Sequence, residues 1–195
     1  MVRFIILLIS FLTLISNYLV LDSHRYQLVL LNDAKYGAYT FSINQLDKIN
    51  YKYPSLALNS VPILTYVSRY FTEDDQFNYA VEQLKESLNS NPNSLFTKYH
   101  LSRNYIFLND FKNAELYLQQ IFDESPKIES ATVLYLSILE KNQNFDKLND
   151  IYDRITEIKN KNIWTYYLSA IKNNKKSSTN KLLYSKALIF FQKNF

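Results

Sequence analysis

The sequence predicts an all-α protein: an N-terminal transmembrane helix followed by an α-solenoid of about five helix pairs. Three observations carry this. First, Phe77, Ala80, Leu84 and Pro92 are matched by Phe111, Ala114, Leu118 and Pro126, one fixed offset further along. Upstream of each alanine, Ser68-Arg69 and Phe71 are matched by Ser102-Arg103 and Tyr105. A small residue, an aromatic and a closing proline that recur every ~34 residues mark a helix–turn–helix repeat. Second, the 195 residues include one glycine, four prolines and no cysteine. That composition suits helices joined by short polar connections and not a turn-rich β protein. Third, Phe4–Leu21 is apolar and carries no charge along its whole length.

The apolar run comes first in the chain. At about 1.5 Å per residue it spans roughly 27 Å, enough to cross a hydrocarbon core. It is longer than the h-region of a signal peptide and lacks an A-x-A-like pair after it, so an uncleaved anchor over residues 1–21 is expected, with a cleaved signal or a buried core helix as the rivals. Arg3 and the terminal amine favour a cytoplasmic N-terminus, while Arg25 and Lys35 dilute that bias. The reading is a single-pass protein of a bacterial cytoplasmic membrane with its repeats outside the cytoplasm. Neither glycine nor proline precedes Gly37, so the membrane helix is expected to continue through Asp22–Lys35 as the first repeat helix.

The repeat domain is placed at residues 22–195. Gly37 supplies the first turn, where positive φ costs least. Ser42, Leu46 and Ile49 are expected to continue a second helix, closed by Pro54. Pro54 precedes Pro92 by more than one repeat period, and the excess places about four inserted residues in Tyr53–Ser60. The first pair thus covers about 23–56, and the two clear copies cover 61–92 and 95–126. In the link around Pro92, Asn93 or Ser94 is placed to cap the next helix. A fourth pair, 127–158, has Leu148 at the alanine position, which puts its close packing in question. A fifth, 161–195, opens with Trp164, Tyr167 and Leu168, crosses the polar stretch Asn173–Ser178, and resumes at Tyr184-Ser185-Lys186-Ala187. The aromatics near Phe190 either fold back on the preceding pair or form an exposed patch.

Ser68 and Ala80, then Ser102 and Ala114, resemble the small packing positions of the tetratricopeptide repeat (TPR) family. Small side chains there let helix axes approach to roughly 8–10 Å. The resemblance covers residues 23–195. It implies a concave groove lined by the first helix of each pair, with a protein or peptide partner in it. By the same resemblance Arg69 and Arg103 face that groove, with Tyr66, Tyr70 and Tyr99 within one turn. Two guanidiniums on adjacent helices suit carboxylates or phosphates. The alternative is two structural arginines bonded to acids such as Glu73 or Glu82. The layout, with the apolar helix, Leu46-Asp47-Lys48-Ile49-Asn50, Tyr53-Pro54 and Arg69-Tyr70, also resembles the C-terminal part of bacterial O-antigen ligase or polymerase membrane proteins. That resemblance implies an accessory or detached tail without the reactive residues.

Several chemistries are excluded or disfavoured. One glycine cannot build a phosphate-binding loop or a dinucleotide turn. Absent cysteines remove disulfides and zinc ribbons. His24 and His100 are far apart, and neither has a metal-ligand partner at i+3 or i+4. No nucleophile has a base at recognisable spacing. Glu73-Asp74-Asp75 and Asp123-Glu124 are placed at turns or helix ends, and a helix N-terminus, which welcomes acids, is sufficient reason for the first set. The sequence therefore predicts a non-enzymatic interaction protein with no cofactor and no metal. Net charge is +4, too mild to imply nucleic acid. Yet no Asp or Glu follows Glu157, while eight lysines do, from Lys159 to Lys193. This tail is either a solvated basic surface or a contact for anionic lipid or an acidic polymer.

Overall fold

The computed structural model describes residues 2–49, 54–172 and 178–195. Among these residues the regular structure is helical, and the chain forms two compact units, Met1–His100 and Leu101–Phe195. The dividing line falls inside one helix.

The first unit opens with α1 (Val2–Tyr36), which is unbroken over 35 residues. It has two different halves. From Phe4 to Leu21 its side chains are exposed all the way round. From Ser23 on, one face turns inward: Ser23, Gln27, Leu30 and Asp33 are buried, at steps of four, three and three along the chain. That is the stripe an α-helix presents to a packed neighbour. The neighbour is α3 (Ile63–Glu73). Leu30 shares a core with Leu46, Ile63, Val67, Tyr70 and Phe71.

Between them lies α2 (Ile43–Leu46), a single turn with a Ser42/Gln45 capping box. Here the structure corrects the expected second helix. After Leu46 the amides of Lys48 and Ile49 bond three residues back, to Gln45 and Leu46. A tight three-residue turn buries Leu46 and Ile49 on one side as well as an α-helix would. The inserted stretch then forms a loop closed by a bridge between Leu56 and Pro62, with the Ala57 amide bonded to the Val61 carbonyl at 2.9 Å. Asn50 and Tyr53 lie outside the described residues, so the start of the insertion does too. Next, α4 (Phe77–Ser90) packs against α3. The unit ends within α5 (Leu95–Phe107).

The second unit holds the rest of α5, then α6 (Phe111–Glu124), α7 (Glu129–Lys141), α8 (Phe145–Thr156), α9 (Lys161–Lys172) and α10 (Ser178–Asn194). Helix boundaries follow the repeat. Ser68, Ala80, Ser102 and Ala114 are all fully buried, as residues at close helix crossings must be. Leu148 fills the interior of the fourth pair, and α7 and α8 approach each other less closely than α3 and α4 do, as a leucine at the alanine position requires. Leu148 is buried at 1% exposure, and the serine position of that pair is taken by Leu136, which is fully buried too. In the fifth pair Trp164 and Tyr167 are fully buried, and the indole N–H donates to the Ile158 carbonyl at 3.0 Å. Ala187 is buried and Phe190 stacks on Trp164 at 4.5 Å, so this aromatic folds back on the preceding helix. The polar stretch 173–177 lies outside the described residues.

The turns inside the pairs repeat as strictly as the helices. Gly37, Asp75, Asn109 and Gln143 all have positive φ, between 53° and 67°. Each falls at the same point of its pair. In each case the next amide reaches five residues back: Ala38 to Asp33, Gln76 to Phe71, Asp110 to Tyr105 and Asn144 to Leu139, at 2.8–3.1 Å. This is the 6→1 bond of a Schellman helix stop, with the left-handed residue at C′. Only the step from Gly37 to Asp75 is longer than the others, because it contains the insertion of the first pair. The same turn relocates Glu73-Asp74-Asp75. These acids end α3 and do not begin a helix. Asp75 is there because Asp tolerates the left-handed conformation. Between pairs, Asn91–Ser94 and Ser125–Ile128 are matching turns, each closed by a backbone bond of 3.2 Å. Pro92 and Pro126 stand at their second positions, where a fixed φ suits the turn. One period on, Asn160 replaces proline. Its side-chain carbonyl oxygen accepts the amides of Asn162 and Ile163 and so caps α9.

Candidate functional site

Two polar clusters stand out, one in each unit. The first joins α1 to α3. Asp33 is only 2% exposed. Its carboxylate accepts from the Thr40 amide and the Thr40 hydroxyl, each at 2.8 Å, and from the Tyr70 hydroxyl. Burial works to raise the Asp33 pKa, but the Tyr70 and Thr40 bonds and the Arg69 charge outweigh it and hold the carboxyl below its usual range. Burial first, and then the same bond to Asp33, push the Tyr70 phenol up. Tyr39 meets the Tyr70 ring edge-on at 5.2 Å, and the Arg69 guanidinium lies 5.8 Å from the Tyr39 centroid. Burial, and then a bond to Glu73, raise the Tyr39 phenol. Beside this cluster is an open hollow of about 340 Å³, lined by Tyr39, Phe41, Ile43 and Glu73 among others.

The second cluster lies on α6 and α8. Glu115 accepts from Lys147 Nζ at 2.7 Å, from Asn142 at 2.7 Å and from Asn144 at 3.2 Å. Burial works against the charged form of Glu115, yet these donors hold its pKa below normal. Lys147 also donates to Gln119 at 2.9 Å. Further along, Arg154 pairs with Asp123 at 2.5 Å, donates to the Phe122 and Asp123 carbonyls, and covers the Phe122 ring at 4.3 Å. A guanidinium on the last carbonyls of α6 is favoured by the helix dipole. Two adjoining hollows of about 310 and 200 Å³ lie along this face and share Gln119 and Lys147.

The groove residues read from the sequence are placed as follows. Tyr66 is buried at 4% exposure, its hydroxyl accepts from Asn59 at 2.7 Å, and its ring lies 5.6 Å from Phe96. Arg69 is half-buried in the α1–α3 cluster, engaged with Tyr39. Tyr99 is half-buried, with its ring 5.7 Å from that of His100. His100 itself is buried, edge-on to Phe96 at 4.5 Å. Arg103 belongs to the second unit, where its guanidinium lies 5.8 Å from the Phe107 ring. Tyr66, Arg69 and Tyr99 belong to the first unit. Sequence reasoning missed Asp33, Thr40, Glu115 and Lys147. Asp33 had one visible signal: a lone carboxylate at i+3 from Leu30, on the helix face that turns inward.

No family model matches the chain, and no curated protein matches it. Solved structures of MamA do. A MamA point mutant superposes with a TM-score of 0.61 at 13% identity, covering 89% of this chain and 96% of that one. The MamA AMB-1 structure gives 0.60 at 13% identity, covering 89% and 97%. A MamA RS-1 double mutant gives 0.60 at 11% identity, covering 88% and 96%. At such identity the likeness speaks for architecture: the chain has the fold of MamA, a TPR-like, all-helical, solenoid-like protein.

Proposed function

We propose that this chain is a membrane-held TPR-like scaffold that binds a protein or peptide partner and makes or breaks no bonds itself. The observation that supports this best is the two-part character of α1. Its apolar first half stands free of the rest of the chain, and the same helix continues without a break into the packed face at Ser23–Asp33. A lipid-facing segment should look like the first half, and a repeat helix like the second. Residues 1–21 then serve as anchor and 22–195 as repeat domain, with the repeats on the extracytoplasmic side. Arg69 and Arg103, with Tyr66 and Tyr99 supporting their helices, offer cationic contacts for a partner's carboxylates.

Two experiments test the reading. Proteolysis of intact spheroplasts should remove the repeats and leave a protected N-terminal fragment, whereas full protection of the repeats would place them in the cytoplasm. Pull-down with the detergent-solubilised chain should recover a partner that Arg103→Ala loses. Equal recovery by the variant would remove the arginines from the binding surface.

A further inference from the structure

The lysine-rich end of the chain carries a face that the fold leaves open. On α10, Ala187 is buried and Phe190 covers Trp164, so the inward side is fixed. At about 100° per residue the opposite side is centred on Ser185 and Ile189. Leu182 and Ile189 lie there, 59% and 65% exposed. Lys186 and Lys193 flank this stripe on one side and Lys181 on the other, and all three are exposed. No Asp or Glu occurs after Glu157, so α9 and α10 themselves carry no acid, and the acids nearest in the packing are those of α8. Two large aliphatics between flanking lysines form the layout of a helix that lies in a bilayer interface: the aliphatics enter the acyl boundary while the lysines reach back to headgroups.

We propose that the outer face of α10 lies against anionic lipid headgroups, giving the chain a second, electrostatic contact with the membrane. The charge complementarity favours this occupant over a second copy of the chain, because two such faces would bring like charges together. The inference rests on the anchor reading only for bringing a bilayer within reach. The contact itself is a property of α10. Because it depends on charge, it weakens by about fivefold for each lysine removed and falls with added salt.

The absence of native cysteine allows a clean test. The full chain with Ser185→Cys, carrying an environment-sensitive fluorophore, is reconstituted into vesicles of phosphatidylcholine, with and without phosphatidylglycerol. A headgroup-level lipid quencher should quench the label only when phosphatidylglycerol is present. Quenching should disappear at high salt and in the triple variant Lys181→Gln, Lys186→Gln, Lys193→Gln. Unchanged Trp164 fluorescence certifies that α10 remains docked in the variant. Equal quenching in both vesicle types, or an undiminished response in the triple variant, overturns the proposal. So does burial of the label that tracks protein density and ignores lipid charge, since that indicates a second copy. A Thr13→Cys label separates the two readings. Quenched by acyl-chain quenchers in both vesicle types while the Ser185 label stays silent, it leaves the anchor standing and α10 refuted. The reverse pattern refutes the anchor and sustains α10.

Discussion

Replacing Tyr70 with Phe tests how firmly α1 is tied to the first unit. The exchange removes one hydroxyl and leaves the ring in its contacts with Tyr39 and Phe41. Asp33 then keeps only its two bonds from Thr40 and stays buried. A hydrogen bond to a charged group contributes about 1.5–3 kcal/mol, so Tyr70→Phe should loosen the joint by about 2 kcal/mol. Asp33→Ala also takes away the acceptor of the Tyr70 hydroxyl, on a residue only 5% exposed, and leaves it only the Phe41 and Thr40 backbone amides. That variant should cost about 3–4 kcal/mol. Thr40 is exposed and can turn to water, which keeps the figure from rising further. Native-state hydrogen exchange on the detergent-solubilised chain measures this locally, without assuming that both units unfold together. A loss of about 2 kcal/mol corresponds to roughly 30-fold faster exchange. The effect is expected in the amides of α1 beyond Ser23. The pH dependence has a definite sign. Asp33 has a depressed pKa in the fold, so its contribution is complete above the ordinary carboxylate range and disappears as pH falls through the depressed value. The difference between wild type and Asp33→Asn should therefore be flat near neutrality and shrink only in acid. Exchange within twofold of wild type for Tyr70→Phe would refute the joint.

Three other outcomes are expected. Gln143→Gly should stabilise the second unit by about 0.5–1 kcal/mol, because a left-handed backbone suits glycine and Gln lacks the Asn or Asp tolerance for it; a lower thermal midpoint would count against that. Ala114→Leu should destabilise by about 1–3 kcal/mol, as read from chemical denaturation, since its fully buried site has no room for three more carbons. Glu115→Gln should make the second unit less stable at neutral pH and flatten its acid-unfolding profile. The folded pKa of Glu115 is lowered, so wild type loses this contribution as pH drops below the carboxylate range.

The repeat period made the central pairs legible because packing residues, aromatic and proline all keep their offsets. Their turns were less legible. Asp75, Asn109 and Gln143 occupy one left-handed position with three different side chains, so no letter repeats even though the backbone does. The expected helix after Ser42 was misjudged because buried residues three apart fit a tight turn and an α-helix alike. For the candidate site, sequence offsets located Arg69 and Arg103. The surroundings of Arg69, with Asp33 on α1 and Tyr39 in the connection after it, depend on how α1 packs, which no local pattern specifies. The Glu115–Lys147 pair was hidden for the same reason: its members are distant in the chain and meet only once α6 and α8 are folded.

The absence of a hinge in α1 sets a clock. Each residue added or deleted between Leu21 and Ser23 would rotate everything packed on Leu30 and Asp33 by about 100° about the helix axis, and move it by about 1.5 Å. With residues 1–21 held in a bilayer as proposed, one inserted alanine would aim the first unit's surface away from any neighbour fixed in that bilayer. A second would carry it past the opposite side, four would bring it back to within about 40° of the original azimuth, and seven to within about 20°. A partner that reads direction would respond to such insertions in that periodic order, whereas a tethered domain on a loose leash would register none of them.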